Sequence, residues 1–327
     1  MIKMNLTVEQ WAFDGTFTIA RSSLAELDII VCQLEENGMI GRGEAVPVDY
    51  AGETVESVLS QLNAINHKIR KNMKPQDIQI LLPHGAARNA LDCALWDLEA
   101  QRQGKPAWEI AGLSEFPALP VTYTLGINSP EVMQAAAEKV SHLPLLKVKL
   151  KGDGLDMDRM RAVRAGSPKA RLIVDANEGW NKLHLEEYVP ILAELGVELI
   201  EQPVMAGSDH ILDGFNSLVP LCADESCNDV AALDYIADRY QFINIKLDKT
   251  GGLTEALTLA KVAQNKGLRL MVGCMCGTSL GMAPAAIIGQ MCEYVDLDGP
   301  LLMADDRSPA INYNMGIMTL PNQGLWG

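Results

Sequence analysis

LLKVKLK at residues 145–151 opens a series that continues through RLIVDAN (171–177), ELIEQP (198–203), PLCADES (220–226) and FINIKL (242–247). Each phrase is a short apolar run, rich in β-branched residues and leucine, that ends in charge. The charged residues are Lys149, Asp175, Glu201, Asp224 and Lys246, separated by 26, 26, 23 and 22 residues. That interval is one strand plus one helix with its loops. Parallel strands need such crossovers, and a charged residue recurring at the C-terminal ends of parallel strands is the arrangement of an enzyme built on a βα barrel.

The series extends in both directions. PVTYTLG (120–126) precedes it, and LRLMVGC (268–274) and YVDLDGP (294–300) follow, making eight strand-like cores. Between most of them lie segments with helical spacing, such as EVMQAAAEKVSHL (131–143) and LTEALTLAKVAQNKG (253–267). Eight βα repeats predict an α/β fold closed as a TIM-type (β/α)8-like barrel over residues 119–303. A dinucleotide-binding sheet has no support, because no GxGxxG follows a first strand.

The N-terminal part, residues 1–118, reads as an α+β capping domain. In LDIIVCQLEENGMIGRGEAVP (27–47), two strand-like runs flank Asn37-Gly38, a hairpin turn signal. ETVESVLSQLNAINHKI (53–69) has helical spacing. In GAARNALDCALWDLEAQRQGK (85–105), Ala86, Ala90, Cys93, Ala94 and Leu98 mark one helix face and Gly104 a stop. Residues 304–327 read as an irregular tail that packs back on the capping domain.

Composition narrows the function classes. A chain of 327 residues with 48% hydrophobic content has ample material for a large core. No apolar run reaches 18 residues, and the N-terminus alternates apolar and polar residues like a strand, so neither a membrane span nor a signal peptide is expected. A net charge of −15 argues against nucleic acid and anionic membranes as partners. The seven cysteines form no CxxC or zinc spacing, which fits reduced thiols in a cytoplasmic protein.

The charged residues point to a particular chemistry. Lys147 and Lys149 are two apart and so share a strand face. On an edge strand, lysines so placed would only discourage aggregation; in a closed barrel they point inward and need counter-charge. Asp175, Glu201 and Asp224 supply it. Three carboxylates converging from neighbouring strands repel one another without a cation, and hard oxygen ligands suit Mg²⁺, with Mn²⁺ as the alternative. The bland reading of each acid, a helix cap or a lysine partner, remains open for any one alone. Lys246 lies across the barrel axis from strand two, so two amines can address opposite faces of one planar intermediate. Lys249 competes for that role but follows the strand. Asp296 and Asp298, again two apart, suit an ammonium group, or else loop amides. GCMCGTS (273–279) adds small residues near the same mouth, with its cysteines read as packing.

These residues together resemble the enolase superfamily in its muconate-lactonizing subgroup, and within it the dipeptide epimerases. The resemblance runs through GRGEAVP (41–47), ARNALDCALWD (87–97), LKVKLK (146–151), VDANEGW (174–180), EQP (201–203), ADES (223–226), NIKLDKTGG (244–252) and DLDGP (296–300). It implies the modified (β/α)7β form of the barrel and one Mg²⁺ per subunit on Asp175, Glu201 and Asp224. It makes Lys149 and Lys246 the acid/base pair of a 1,1-proton transfer that inverts the α-carbon of the C-terminal residue of L-Ala-D/L-Glu. Lys147 would help hold the substrate carboxylate, and Asp296 and Asp298 its ammonium. Thr124 and the backbone of Cys274, Met275 and Cys276 would line the pocket, and Arg21, in FTIARSSLAE, would meet the glutamate side chain. The implied setting is peptidoglycan recycling. A muconate cycloisomerase or o-succinylbenzoate synthase on the same scaffold, whose substrates lack the ammonium, and a metal-binding barrel without turnover are the alternatives.

Overall fold

The computed structural model describes residues 2–20, 22–321 and 324–327. The N-terminal part is an antiparallel sheet of β1 (Lys3–Thr18), β2 (Ser23–Glu36) and β3 (Met39–Ala45), covered by helices α1 (Val55–Ile65) and α2 (Ala86–Gln103). Asn37 and Gly38 both take positive φ, 53° and 84°, as a two-residue hairpin demands. Thr54 caps α1, and Gly104 ends α2 in the left-handed conformation. In the GRGEAVP segment the glycines face α2 so closely that a Cβ on Gly41 or Gly43 would run into the helix backbone at Ala94 and Ala90. The segment FTIARSSLAE (17–26) is mostly strand: β1 runs to Thr18 and β2 begins at Ser23. This hairpin reaches the barrel, where Ile127 N donates to Thr18 O at 2.9 Å.

After α3 (Ala107–Ile110) and the short strand β4 (Leu119–Pro120), the barrel begins. Its strands are β5 (Tyr123–Leu125), β6 (Leu145–Lys149), β7 (Arg171–Asp175), β8 (Val197–Glu201), β9 (Leu221–Ala223), β10 (Phe242–Lys246), β11 (Arg269–Gly273) and β12 (Tyr294–Val295). They pair in parallel, in sequence order. Thr122 N donates to Val295 O at 2.9 Å and ties the two edges together. The crossovers carry α4 (Pro130–Lys139), α5 (Asp156–Gly166), α6 (Lys182–Glu194), α7 (Leu233–Ile236), α8 (Leu247–Thr250), α9 (Leu253–Asn265) and α10 (Ser279–Gly289). Between β8 and β9 the described structure has a single 3-10 turn, Asp209–Leu212, in place of a helix. Helix α10 is buried all round because it lies between the barrel and β3. After β12 only the short α11 (Gly299–Leu302) follows, and the hairpin β13 (Asn312–Asn314) and β14 (Ile317–Thr319) pairs with β4. The last residues lie against the N-terminal part: Trp326 Nε1 donates to Cys93 O and Ala107 N to Gly327 O.

Inside the barrel, one layer is an apolar plug of Leu145, Ile173, Leu199, Cys222, Phe242, Met271 and Tyr294. The period of two in each strand then dictates what stands above it. Two residues on come Lys147, Asp175, Glu201, Asp224, Asn244, Gly273 and Asp296; four residues on come Lys149, Lys246 and Asp298. The fold thus turns a pattern of alternation into a charged layer on an apolar floor.

Candidate active site

The charged layer is almost sealed from water. Asp175, Glu201 and Asp224 have no exposed surface, and Lys147, Lys149 and Lys246 retain between 1% and 8%. Lys147 Nζ sits among Asp175 (3.2 Å), Glu201 (2.7 Å) and Asp296 (2.7 Å). Lys149 Nζ donates to Asp175 Oδ2 at 2.6 Å, and Lys246 Nζ to Asp224 Oδ2 at 2.7 Å. Strands β6 and β10 are four apart in an eight-strand sheet, so Lys149 and Lys246 reach the site from opposite walls.

Lys249 is excluded from the base role considered above. It is buried, donates to Asp224 Oδ1 at 2.6 Å, and is further held by the carbonyls of Asp224, Cys227 and Asn244. An ammonium satisfied on every side serves as fixed counter-charge.

Burial works against the charge on Lys147, but Asp296, Glu201 and Asp175 outweigh it and hold the ammonium well above the usual lysine range. Burial likewise opposes charge on Lys246, and Asp224 and Glu201 raise it. The acids answer differently. Despite burial, Asp175 is held low by Lys149 and Lys147, and Asp224 by Lys246 and Lys249. Burial and the neighbouring Asp175 push Glu201 up. Five buried acids, Asp175, Glu201, Asp224, Asp296 and Asp298, face four lysines even before Glu225 is counted. The uncompensated negative charge falls on Glu201 and Asp298.

Among the described residues no three His, Cys, Asp or Glu side chains form a group that encloses an ion as they stand. Each carboxylate leans on an ammonium instead. The donor chemistry nonetheless fits a hard divalent cation: three buried carboxylates side by side and an excess of acids over lysines.

The DLD motif departs from expectation in its backbone. Strand β12 ends at Val295, so Asp296 and Asp298 lie just past it and not within a strand. Asp296 accepts from Thr122 Oγ1 (2.6 Å) as well as from Lys147, and Asp298 Oδ2 accepts from Thr124 N (2.6 Å). Burial and Asp296 push the Asp298 carboxyl up to about 7. Thr124 is buried at the end of β5, and its hydroxyl lies 3.5 Å from Asp296. Cys274, Met275 and Cys276 are half-buried in the loop after β11. Cys276 has φ 64°, and the following Thr278 donates its amide to Glu44 of the GRGEAVP segment at 2.7 Å, so the N-terminal part pins this loop. Arg21 lies outside the described residues.

Two participants were not singled out from the sequence. Asn244, on the inner face of β10 two residues before Lys246, donates to Glu201 Oε1 at 2.8 Å; alternation within FINIKL places it there. Its room comes from Gly273 on the next strand, where a Cβ would lie 2.8 Å from the Asn244 side chain. Gln202 is the other. A cleft of about 870 Å³ lined by Arg42, Trp108, Phe116 and Trp326 borders none of these residues.

Comparison with known proteins identifies the family and its relatives. Residues 1–112 match the mandelate racemase/muconate lactonizing enzyme N-terminal domain, and residues 131–325 match the enolase C-terminal domain-like model. The L-Ala-D/L-Glu epimerase of Escherichia coli is 41% identical over 95% of this chain and 98% of its own. The N-acetyl-D-glutamate racemase of a Pseudoalteromonas species is 43% identical over 91% and 95%. A crystal structure of an enolase family member from Agrobacterium tumefaciens, described as having homology to dipeptide epimerases and bound to sodium and L-Ala-L-Glu, superposes with a TM-score of 0.97 at 43% identity over the whole of both chains. A dipeptide epimerase from Enterococcus faecalis complexed with Mg and L-Leu-L-Tyr gives 0.89 at 27%, covering 98% of this chain and 97% of that one.

Proposed function

The chain belongs to the mandelate racemase/muconate lactonizing enzyme family of the enolase superfamily, and from that premise we propose that it is an epimerase that inverts the α-carbon of the C-terminal residue of L-Ala-D/L-Glu. The observation that carries this reading is the placement of Lys149 and Lys246 on opposite walls of one buried carboxylate cluster. An inversion without redox chemistry needs a proton removed from one face of a carbon and another delivered to the other face.

In this mechanism one of the two lysines is neutral and takes the α-proton, while the other, an ammonium, donates a proton from the opposite side. The C–H bond electrons pass to the substrate carboxylate and return to carbon as the new C–H bond forms. The lysines exchange protonation states, and running the reaction in reverse exchanges their roles. Lys147 is suited to a different task. With three carboxylates within 3.2 Å, it is counter-charge and a hold for the substrate carboxylate rather than a shuttle. Asp175, Glu201 and Asp224 would hold Mg²⁺ or Mn²⁺, which when bound offsets the negative charge that builds on the substrate carboxylate as the proton leaves.

Asp296 and Asp298 would receive the dipeptide's α-ammonium, and Arg21 the glutamate side chain. A substrate without the ammonium would bring no added counter-charge to this buried pair of acids, in which burial and Asp296 already disfavour charge on Asp298. A second reading follows from the 43% identical N-acetyl-D-glutamate racemase: the same two lysines acting on N-acylated glutamate. Incubation with L-Ala-L-Glu, L-Ala-D-Glu and the N-acetylglutamates decides between them. Epimerisation of the dipeptides with faster turnover than the acetylated acid supports the dipeptide reading; turnover of N-acetylglutamate alone overturns it. The setting we propose is the turnover of peptidoglycan-derived dipeptides in the cytoplasm, consistent with seven unpaired cysteines.

A further inference from the structure

Gln202 follows Glu201, is fully buried, and has a left-handed backbone with φ 31°. Asn177 and Glu178, just past Asp175, share that unusual conformation with φ 42° and 68°. Non-glycine residues persist there only where the surroundings fix them, and such sites cluster where function needs a set geometry. Gln202 links the ends of three strands. Its carbonyl accepts from Glu178 N at 2.8 Å, beyond β7, and its amide donates to Cys222 O at 2.8 Å, on β9. Its side-chain oxygen accepts from Asp224 N (2.8 Å) and Ser226 N (3.2 Å), while Nε2 donates to Val204 O, Ser226 Oγ and Tyr240 Oη at 2.8, 2.9 and 3.3 Å.

Asp175, Glu201 and Asp224 thus lie in three strand ends that one planar amide and its own backbone tie together. Lys147, Lys149 and Lys246 meet these acids at the end of a flexible four-carbon stem, whereas the Gln202 amide meets the strand-end backbone itself. We infer that Gln202 is a positioning residue that sets the relative reach of Asp175, Glu201 and Asp224 for a divalent cation. This rests on the metal-site reading proposed above.

The test is Mn²⁺ binding without substrate, followed by the electron paramagnetic resonance signal of the free ion, in the parent protein and in Gln202→Leu, Gln202→Asn and Tyr240→Phe. Gln202→Leu removes the acceptor outright. Gln202→Asn keeps an amide and tolerates the left-handed backbone but is one methylene short of the Asp224 amide. Both are expected to bind Mn²⁺ at least tenfold more weakly, the Asn variant with an unfolding midpoint close to the parent's. Tyr240→Phe removes the Gln202–Tyr240 contact and leaves the Asp224 amide satisfied; it is expected to lower the midpoint while Mn²⁺ affinity stays within twofold. If Gln202→Leu does not fold, the Asn variant decides. Parent-like Mn²⁺ affinity in Gln202→Asn overturns the inference and leaves the metal site standing; a parent protein that binds no Mn²⁺ overturns both.

Discussion

Asn244 and Gly273 show how much of the site depends on single atoms. Asn244 fixes one oxygen of Glu201, and it fits only because the facing residue on β11 has no side chain. Gly273→Ala should push Asn244 aside, cost about 1–3 kcal/mol of stability as overpacking does, and lower turnover as Glu201 loses its partner. Urea denaturation and a turnover assay check the two effects. The charged residues were legible in the sequence because each ends an apolar run. Asn244 and Gln202 were not, because their roles depend on neighbours 43 and 22 residues away that only the barrel's register brings near.

At the level of elements, alternation made the eight strands legible, and the spacing between them made the barrel legible. The exceptions have local causes. The chain between β8 and β9 carries glycine and polar residues, and it forms a 3-10 turn with Asp209 buried as an acceptor for Ser226 and Tyr240. Strand β12 is two residues long because Asp296 and Asp298 turn to accept from Thr122, Thr124 and Lys147. The contact between β3 and α2 leaves no room for a Cβ at Gly41 or Gly43, so its requirement for glycine is strict. Gly43→Ala should destabilise the protein by about 1–3 kcal/mol or more, since the obstructing atoms belong to a helix backbone that cannot rotate away. A thermal melt with an unshifted midpoint would show that this seam yields more easily than its geometry implies.

For the whole molecule, the junction between the N-terminal part and the barrel holds a buried acid that makes stability depend on pH. Asp248, on α8, accepts from Val46 N (3.0 Å) and Asn89 Nδ2 (2.8 Å), both through Oδ1. Burial pushes it up to about 7, the two hydrogen bonds offsetting only part of that cost. In the unfolded chain an aspartate releases its proton near pH 4. Between pH 4 and 7 the folded state therefore binds a proton that the unfolded state has lost, and stability falls as pH rises through that window, then levels. Asp248→Asn keeps an acceptor at Oδ1 and removes the charge. Its stability should exceed the parent's by on the order of 2–4 kcal/mol at pH 8 and converge with it below pH 4. Urea unfolding across pH 4–8 gives the difference; an unchanged slope would mean that Asp248 is ionised in the folded protein.

The account as a whole turns on two lysines serving two faces of one carbon. Its most direct test is solvent-deuterium incorporation at the glutamate α-carbon of L-Ala-L-Glu and of L-Ala-D-Glu, with the parent, Lys149→Ala and Lys246→Ala. The parent should epimerise and label both dipeptides. Each variant should lose epimerisation by at least about 10²–10⁴-fold, with label still entering one enantiomer only, and the opposite one in the two variants. Epimerisation at parental rates in either variant would contradict the two-base assignment.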